Sequence, residues 1–247
     1  MSLLLGSIWF TALSSLFLFY KLTLNKIDKN RRMVVFCNHV WGVLLLRTTF
    51  CYPRIENLSK LQSVHSSSVA SLFVANHASW MDIPYMGAAI GYGHFGWRNY
   101  KIIAKKELEK VPILGFSIVL ARHVIIDRTS RRSQLQTLKS GIKCLEDGVH
   151  LCAFPEGTRS RTGRLMPFKR GAFKMAAKAK ASIVPLSIVG SELVMPTGWI
   201  MPMRPSRNVA KVIIHDPISS TGLDEKELNS KVVEAIASGL PPKQQPA

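Results

Sequence analysis

Short apolar runs that alternate with helix-like segments constrain the fold of this chain most strongly. Six runs have the length and composition of buried strands: 71–75, 100–104, 123–126, 151–154, 183–189 and 209–214. Residues 129–147 place apolar side chains on one helical face, and residues 223–237 form a last predicted helix. This alternation is typical of an α/β domain, so we expect a mixed, largely parallel sheet flanked by helices.

The N-terminal segment predicts a membrane anchor. Residues 3–20 carry no charge and are mostly apolar, and five cations follow within residues 21–32. This length just suffices for a membrane helix, and a cleaved signal peptide would usually begin with basic residues. We therefore predict an uncleaved anchor with its basic flank on the cytoplasmic side, although a buried core helix has the same pattern. Residues 33–46 are too short for a full span and are expected to lie in the membrane interface or dip back.

The charge balance indicates an acidic partner. Lys and Arg number 33 against 15 Asp and Glu, a formal net charge of +18. Nucleic acid, an anionic membrane surface or a phosphorylated substrate would each match this excess. A hydrophobic fraction of 47% excludes a disordered chain. The four cysteines form no C-x-x-C pair, so we expect free thiols in a reducing compartment.

A histidine and an aspartate follow the first predicted strand. His77 and Asp82 are five residues apart, a spacing that on a continuous helix would turn them about 140° away from each other. They can meet only across a strand-to-helix turn, and Pro84 suits the first turn of a helix that begins there. In that geometry the carboxylate orients the imidazole, which acts as a general base. The alternative is a helix-capping box of Ser79 and Asp82, with His77 as a polar strand end.

The chain contains an internal control for this motif. His39 also follows an asparagine, but Leu44 stands five residues later, where a carboxylate would be needed. His39 also lies within an apolar run rather than at a strand end. We therefore give His39 no catalytic role.

A glycine-containing turn, residues 154–160, follows another predicted strand. Gly157 permits a tight turn, and the neighbouring N–H groups, the Thr158 hydroxyl and the Arg159 guanidinium are suited to surround a phosphate. The alternative is a solvated surface turn. Between Gly157 and His215, eleven Lys or Arg residues accompany a single acid, which favours an anionic substrate.

Two further cations follow predicted strands. Lys105 follows the run 100–104, and Arg128 follows the run 123–126. Both are expected at the sheet edge where ligands of α/β folds usually bind. Taken singly, each has the alternative of an ordinary solvated cation.

Together these motifs resemble those of the glycerolipid acyltransferases, specifically the 1-acyl-sn-glycerol-3-phosphate (lysophosphatidic acid) acyltransferases. Four blocks stand in the family's order: N-H-x-x-x-x-D at 76–82, K-x-E-L…P-x-x-G…I-D-R over 105–128, F-P-E-G-T-R-S at 154–160 and V-P-L-S at 184–187. The resemblance covers roughly residues 71–218. The site residues it implies are His77 and Asp82 for catalysis, Arg159, Lys105, Arg128, Gly157 and Thr158 for the substrate phosphate, and Asn76 and Glu156 in support.

The resemblance also implies an activity. A fatty acyl chain would pass from acyl-CoA or acyl-carrier protein to the sn-2 hydroxyl of lysophosphatidic acid, with no metal or other cofactor. One alternative is a related acyltransferase that uses glycerol-3-phosphate or another lysophospholipid. The alternative from another class is a non-catalytic basic module that binds anionic membranes or nucleic acid. Cations gathered at strand ends that also carry His77 and Glu156 favour the enzyme, and with it no nucleic-acid partner.

The expected organisation follows from these assignments. We predict a membrane-anchoring helical region over residues 1–50, a connection over 51–70, the catalytic domain over 71–238 and a flexible tail over 239–247. The expected location is the endoplasmic reticulum, a plastid or the bacterial inner membrane, with the catalytic domain on the cytoplasmic or stromal side.

Overall fold

A seven-stranded mixed sheet runs through the part of the chain that the computed structural model describes, which is residues 2–23, 26–66, 69–91, 100–199 and 201–246. Its strands are β1 (Arg54–Glu56), β2 (Leu72–Ala75), β3 (Tyr100–Lys105), β4 (Val124–Ile126), β5 (His150–Ala153), β6 (Ile183–Val189) and β7 (Lys211–Ile214). The order across the sheet is β1-β7-β6-β2-β5-β3-β4. Only the pairing of β6 with β7 is antiparallel among these strands, which confirms the predicted fold class.

Helices cover both faces of this sheet. Within the described ranges they are α1 (Ser2–Leu22), α2 (Arg32–Thr48), α3 (Leu61–Ser66), α4 (Asp82–Ile90), α5 (Leu114–Leu120), α6 (Arg131–Glu146), α7 (Gly171–Ala179), α8 (Ser191–Val194) and α9 (Glu225–Ser238). The two helices predicted from apolar periodicity correspond to α6 and α9. The capping box of α9, in which the Asp224 carboxylate accepts from the Lys226 and Glu227 N–H groups, fixes where that helix begins.

The central strand β2 shows how the two layers form. All four of its residues are buried, because helices cover both of its faces. Phe73 and Ala75 belong to a core shared with α2 and α4, whereas Leu72 and Val74 belong to a core shared with α7 and α9. Side chains alternate between the faces of a strand, so a continuous apolar run fills both cores. The loops after β2 and its parallel neighbour β5 consequently leave the sheet at the same edge.

The two N-terminal helices pack into the first of these cores. Trp9 and Leu13 on α1 are buried, and Trp9 stacks on Trp41 of α2 with ring centroids 4.0 Å apart. The Trp9 Nε1–H group also donates to Asn38 Oδ1 at 3.0 Å. The described residues of α1 and α2 therefore contribute to the core that also covers the sheet. Among the described residues, no helix is both long enough and apolar enough to cross a membrane.

Two other segments differ from the predicted organisation. Residues 51–70 were expected only to connect, but they supply β1, which pairs with β7 at the edge of the sheet. The tail after residue 238 was expected to be flexible, but Leu240 and Gln244 are buried. The Gln244 carbonyl accepts from the Leu165 N–H group at 2.8 Å, so the described part of this tail is tied to the domain.

Candidate active site

The turn after β2 is fastened to the neighbouring strand by Asn76. Its side-chain amide donates to the Ile188 carbonyl at 2.9 Å, and its Oδ1 accepts from the Ile188 N–H group at 2.8 Å. This pair replaces main-chain pairing at the point where β2 ends beside β6. Asn76 therefore attaches this turn to β6 and places the next residue, His77, at the sheet edge, while a supporting role in catalysis stays a prediction.

His77 and Asp82 meet across the predicted strand-to-helix turn. His77 Nδ1 lies 2.8 Å from Asp82 Oδ2, and the same oxygen accepts from the Ala78 and Ser79 N–H groups at 2.6 and 2.7 Å. Asp82 is fully buried at the first residue of α4, where the helix dipole also favours a negative charge. An ionised carboxylate can only accept a hydrogen bond, so Nδ1–H donates to Asp82. Nε2 is then the basic nitrogen of the imidazole.

The alternative, a helix-capping arrangement of Ser79 and Asp82, is present in the same turn and coexists with the His77 contact, because Asp82 Oδ2 also accepts from the Ser79 N–H group at 2.7 Å. The Ser79 hydroxyl donates to the Met195 carbonyl at 2.6 Å and accepts from the Met81 N–H group at 3.1 Å. Met81 is two residues after Ser79, so this hydroxyl contact caps the turn that leads into α4, whose first residue is Asp82. Ser79 also attaches this turn to the loop after α8.

The loop after β5 packs against the turn that carries His77 and forms the second part of the candidate site. Phe154 stacks on the His77 ring with centroids 4.2 Å apart, which fixes the plane of the imidazole. The Glu156 carboxylate accepts from the His77 N–H group at 2.7 Å and from the Met166 N–H group at 3.3 Å. The Ser160 N–H group donates to the His77 carbonyl at 2.7 Å. Both main-chain groups of His77 are thus held by this loop.

Burial raises the pKa of the Glu156 carboxyl group to about 8, against the opposing effect of the two main-chain N–H donors. Glu156 is 4% exposed, so its charged form loses most of its hydration. Its contacts are with the main chain and not with the imidazole. Glu156 therefore positions the main chain of His77, while a supporting role in catalysis stays a prediction.

Arg159 lies on the same loop after β5 and reaches the turn that carries His77 and Asp82. Its guanidinium lies over the Trp80 ring, 4.9 Å from the centroid. Its Nη1 is buried and has no hydrogen-bond acceptor among the described residues. A buried guanidinium nitrogen without an acceptor is costly unless a ligand oxygen supplies one. The geometry therefore suits an anionic group beside the His77–Asp82 pair.

The turn at Gly157 has a positive φ of 75°, as the predicted tight turn requires. Lys169 covers this glycine, because a Cβ placed there would lie 2.9 Å from the Lys169 Nζ atom. Thr158 is exposed beside it. Lys169 is a cation of this loop that motif reasoning did not single out, since only the folded chain brings it over residue 157.

The other two predicted cations lie further along the same edge. Lys105 ends β3 and forms an exposed ion pair with Glu107 at 3.3 Å, whereas Arg128 follows β4. Burial lowers the pKa of Arg128, and the charge of Glu107 opposes that shift. With strands about 4.8 Å apart, β3 and β4 lie roughly 10 and 14 Å from β2. The shared edge is confirmed, while a direct role for Lys105 and Arg128 at the phosphate stays a prediction.

A third loop, which the sequence motifs did not indicate, connects the loop after β2 to the loop after β5. The Thr197 hydroxyl lies 3.1 Å from the Ala78 carbonyl and 3.4 Å from the Ser160 carbonyl, so it bridges the two turns. His39, by contrast, lies on α2, where burial lowers its pKa and a hydrogen bond to the Gly87 backbone opposes the shift. That His39 has no catalytic role stays a prediction.

Comparison with known proteins identifies the family. The family model described as Acyltransferase matches residues 53–189, more than half of the chain, including the loops after β2 and β5. A chloroplastic 1-acyl-sn-glycerol-3-phosphate acyltransferase of Arabidopsis thaliana is 35% identical over 75% of this chain and 50% of its own length. A 1-acyl-sn-glycerol-3-phosphate acyltransferase of Chlamydomonas reinhardtii is 32% identical over 87% of this chain and 61% of its own length.

The same fold occurs in a solved structure. The crystal structure of the 1-acyl-sn-glycerophosphate acyltransferase PlsC from Thermotoga maritima superposes with a TM-score of 0.70 and 27% identity. The match covers 96% of this chain and 93% of that one, although the chain spans only 50% and 61% of the two curated relatives. The family model, the sequence relatives and this shared fold agree: the chain belongs to the acyltransferase family.

Proposed function

We propose that this protein transfers a fatty acyl chain to the sn-2 hydroxyl of lysophosphatidic acid, with acyl-CoA or acyl-carrier protein as donor. The observation that carries the proposal is the buried Nη1 of Arg159 beside the His77–Asp82 pair, for which the described part of the chain supplies no acceptor. A base and an anion-binding group thus share one edge of the sheet. The names of the relatives in one plant and one alga, and of the Thermotoga maritima enzyme, support the same acceptor.

The proposed reaction is a direct acyl transfer. Neutral His77 accepts the proton of the acceptor hydroxyl at Nε2 as the oxygen forms its bond to the thioester carbonyl carbon. Asp82 holds the other nitrogen and stabilises the imidazolium. The carbon–sulfur bond then breaks, and His77 returns the proton to the leaving thiolate. General-base catalysis of this kind contributes about 10²–10⁴-fold, and positioning of the two substrates supplies much of the remainder.

The acceptor phosphate is proposed to bind Arg159, with the Gly157–Thr158 turn beside it. A guanidinium forms two parallel, charge-assisted hydrogen bonds to a phosphate, and Trp80 holds its plane. Lys105 and Arg128 attract the anion along the same edge without contacting the His77 turn in the described geometry.

We also propose that α1 lies in the membrane interface. Its buried face carries Trp9 and Leu13, and the opposite face exposes four apolar side chains at helical spacing, Leu4, Ile8, Leu18 and Leu22. A second exposed apolar group, Trp199, Met201 and Met203, follows the loop that carries Thr197. Exposed apolar side chains next to a site for lipid substrates suit a membrane surface.

His77→Ala is expected to lower acyl transfer to lysophosphatidic acid by at least about 10²-fold, because it removes the proposed general base. The fold should persist, since Asp82 keeps its two main-chain donors. Turnover of purified protein and thermal unfolding are the measurements. His39→Ala is the control and should be far milder. A His77→Ala protein that keeps more than a few per cent of turnover would refute the assignment.

Arg159→Ala is expected to reduce kcat/KM for lysophosphatidic acid about 10- to 100-fold, the loss of a charge-assisted hydrogen bond. Transfer to monoacylglycerol, which lacks the phosphate, should change less than about threefold. Arg159→Lys should recover only part of the loss, because an ammonium cannot form the planar fork. Arg161→Ala, an exposed cation in the same loop, is the matched control. Equal losses on both acceptors would show that Arg159 serves the donor or the fold.

Glu156→Gln should alter the pH dependence of stability. Because the pKa of Glu156 is about 8 in the folded protein, above about 4.3 in the unfolded chain, the unfolded state loses this proton first as pH rises. Native stability should therefore fall between about pH 5 and pH 8, with a slope of up to about 1.4 kcal/mol per pH unit, and then level off. Glu156→Gln should remove this contribution. Chemical unfolding over this pH range is the measurement, and identical slopes for both proteins would contradict the argument.

Leu18→Gln should weaken binding to phospholipid vesicles about tenfold without loss of stability, because an exposed leucine would leave the acyl region. Leu135→Gln on α6 is the matched control, since the two leucines are 56% and 54% exposed. Truncation of α1 is a poorer test, because it would also strip Trp9 and Leu13 from the core. Flotation with neutral vesicles at high salt isolates the apolar contribution. Equal binding of both variants would mean that α1 does not face the bilayer.

A further inference from the structure

A groove between α1 and α5 lies apart from the candidate active site. Its volume is about 310 Å³, and Phe17, Phe116, Val119 and Leu120 supply its apolar lining. The rings of Phe17 and Phe116 meet edge to face with centroids 5.7 Å apart. Val119 is 56% exposed, so the groove opens to the surface and does not form an internal cavity.

Cations border one side of this groove. Lys21, Arg31 and Arg122 are among its lining residues, whereas the described lining includes no carboxylate. Arg31 is 4% exposed and its guanidinium stacks on the Tyr20 ring at 3.7 Å, so it is held in place. Lys21 and Arg122 are exposed at the surface. A fixed guanidinium flanked by two accessible cations forms a site for an anion.

These cations lie close enough to repel one another. Burial lowers the pKa of Arg31, and the charge of Arg122 lowers it further. Lys101 lies behind them, where burial lowers its pKa to about 8 and Arg122 and Arg31 add to the shift. The nearby carboxylate of Asp28 already accepts from the Tyr20 hydroxyl at 2.7 Å and from the first N–H groups of α2. The positive charge at this point therefore exceeds what the neighbouring acid balances.

Lys101 makes the cationic side of the groove rigid. Its buried ammonium donates to the Asn30 carbonyl and to the Ala121 carbonyl, each at 2.6 Å. Asn30 and Ala121 directly precede Arg31 and Arg122 in the chain. One buried lysine thus holds the two arginine-bearing segments together, which preorganises both guanidinium groups.

The groove is remote from the catalytic turn. Lys101 lies at the start of β3, and Ala121 precedes β4, so the groove lies near the amino ends of the parallel strands. His77 and Glu156 follow the carboxyl ends of β2 and β5. A four-residue strand separates the two edges by about 13 Å, so one phosphate cannot contact both sets of cations.

We propose that this groove binds an anionic glycerophospholipid of the bilayer that is separate from the acyl acceptor. The lipid phosphate contacts Lys21, Arg31 and Arg122, and its acyl region lies over Phe17 and Phe116. The cations match a phosphodiester head group and the apolar lining matches an acyl chain, so the groove suits an amphiphile that carries both. The exposed Leu18 and Leu22 adjoin Phe17 and Lys21 in sequence, so the groove continues the apolar surface of α1. The proposal does not depend on which acceptor the enzyme acylates.

The test compares Lys21→Gln/Arg122→Gln with the control Lys226→Gln/Lys231→Gln, which removes the same charge from exposed positions on α9. Flotation uses phosphatidylcholine vesicles with and without phosphatidylglycerol. The groove variant should bind the anionic vesicles about 10- to 30-fold more weakly than the wild-type protein, with an unchanged unfolding temperature, whereas the control should change less than threefold. Equal losses in both variants would reduce the effect to overall charge, and no loss in the groove variant would likewise overturn the proposal.

Two further measurements separate the sources of the anion and the two proposals. Calorimetric titration with monomeric dihexanoyl-phosphatidylglycerol should show binding that the groove variant loses and Arg159→Ala keeps. Inorganic phosphate binding at equal affinity would contradict a lipid site. Transfer to lysophosphatidic acid in detergent micelles should stay within about twofold of wild type in the groove variant, because these cations lie outside the catalytic loops. If every form lacks acyl transfer, the proposed function fails while the vesicle result still decides the groove.

Discussion

The candidate site depends on the buried carboxylate of Asp82. Its Oδ2 atom accepts hydrogen bonds from His77 Nδ1 and from the N–H groups of Ala78 and Ser79, and no donor–acceptor distance among them exceeds 2.8 Å. A buried charge without such donors would be strongly unfavourable. Because Asp82 begins α4 and His77 follows β2, the contacts that orient the imidazole also close the strand-to-helix turn. The local fold and the orientation of the base are consequences of one set of hydrogen bonds.

Two other loops hold this turn from outside. Glu156 and Ser160 bind the main chain of His77, and Thr197 joins Ala78 to Ser160. The three loops therefore form one hydrogen-bonded unit. This unit explains why Arg159 stands beside a base from a distant part of the chain. It also explains why a glutamate with an unusually high pKa is tolerated here, since its two oxygens satisfy main-chain donors that would otherwise be buried without acceptors.

The strands and the contact between His77 and Asp82 could be predicted because both leave local signals. A run such as that of β2 is apolar throughout because both of its faces are buried, and a five-residue spacing allows only a turn. β1 gave no such signal, since it has three residues, two of them charged, at the edge of the sheet. Lys101 was equally hidden, because the carbonyls that bind its ammonium come from distant segments. Lys169 and Thr197 likewise acquire their neighbours only when separate loops meet.

The excess of positive charge in the sequence required an acidic partner but could not locate it. The fold divides the cations between two edges of the sheet, with Arg159 beside the catalytic turn and Lys21 and Arg122 at the groove. On the two proposals, both groups bind phosphate, but they differ in exposure. Screening acts over about 8 Å at physiological ionic strength and weakens exposed charges most. Arg159 is partly buried over Trp80, whereas Lys21 and Arg122 are exposed. Salt should consequently weaken attachment to anionic lipid at concentrations that leave recognition of the acceptor phosphate largely intact. The two proposed phosphate-binding sites can therefore be distinguished by their dependence on salt.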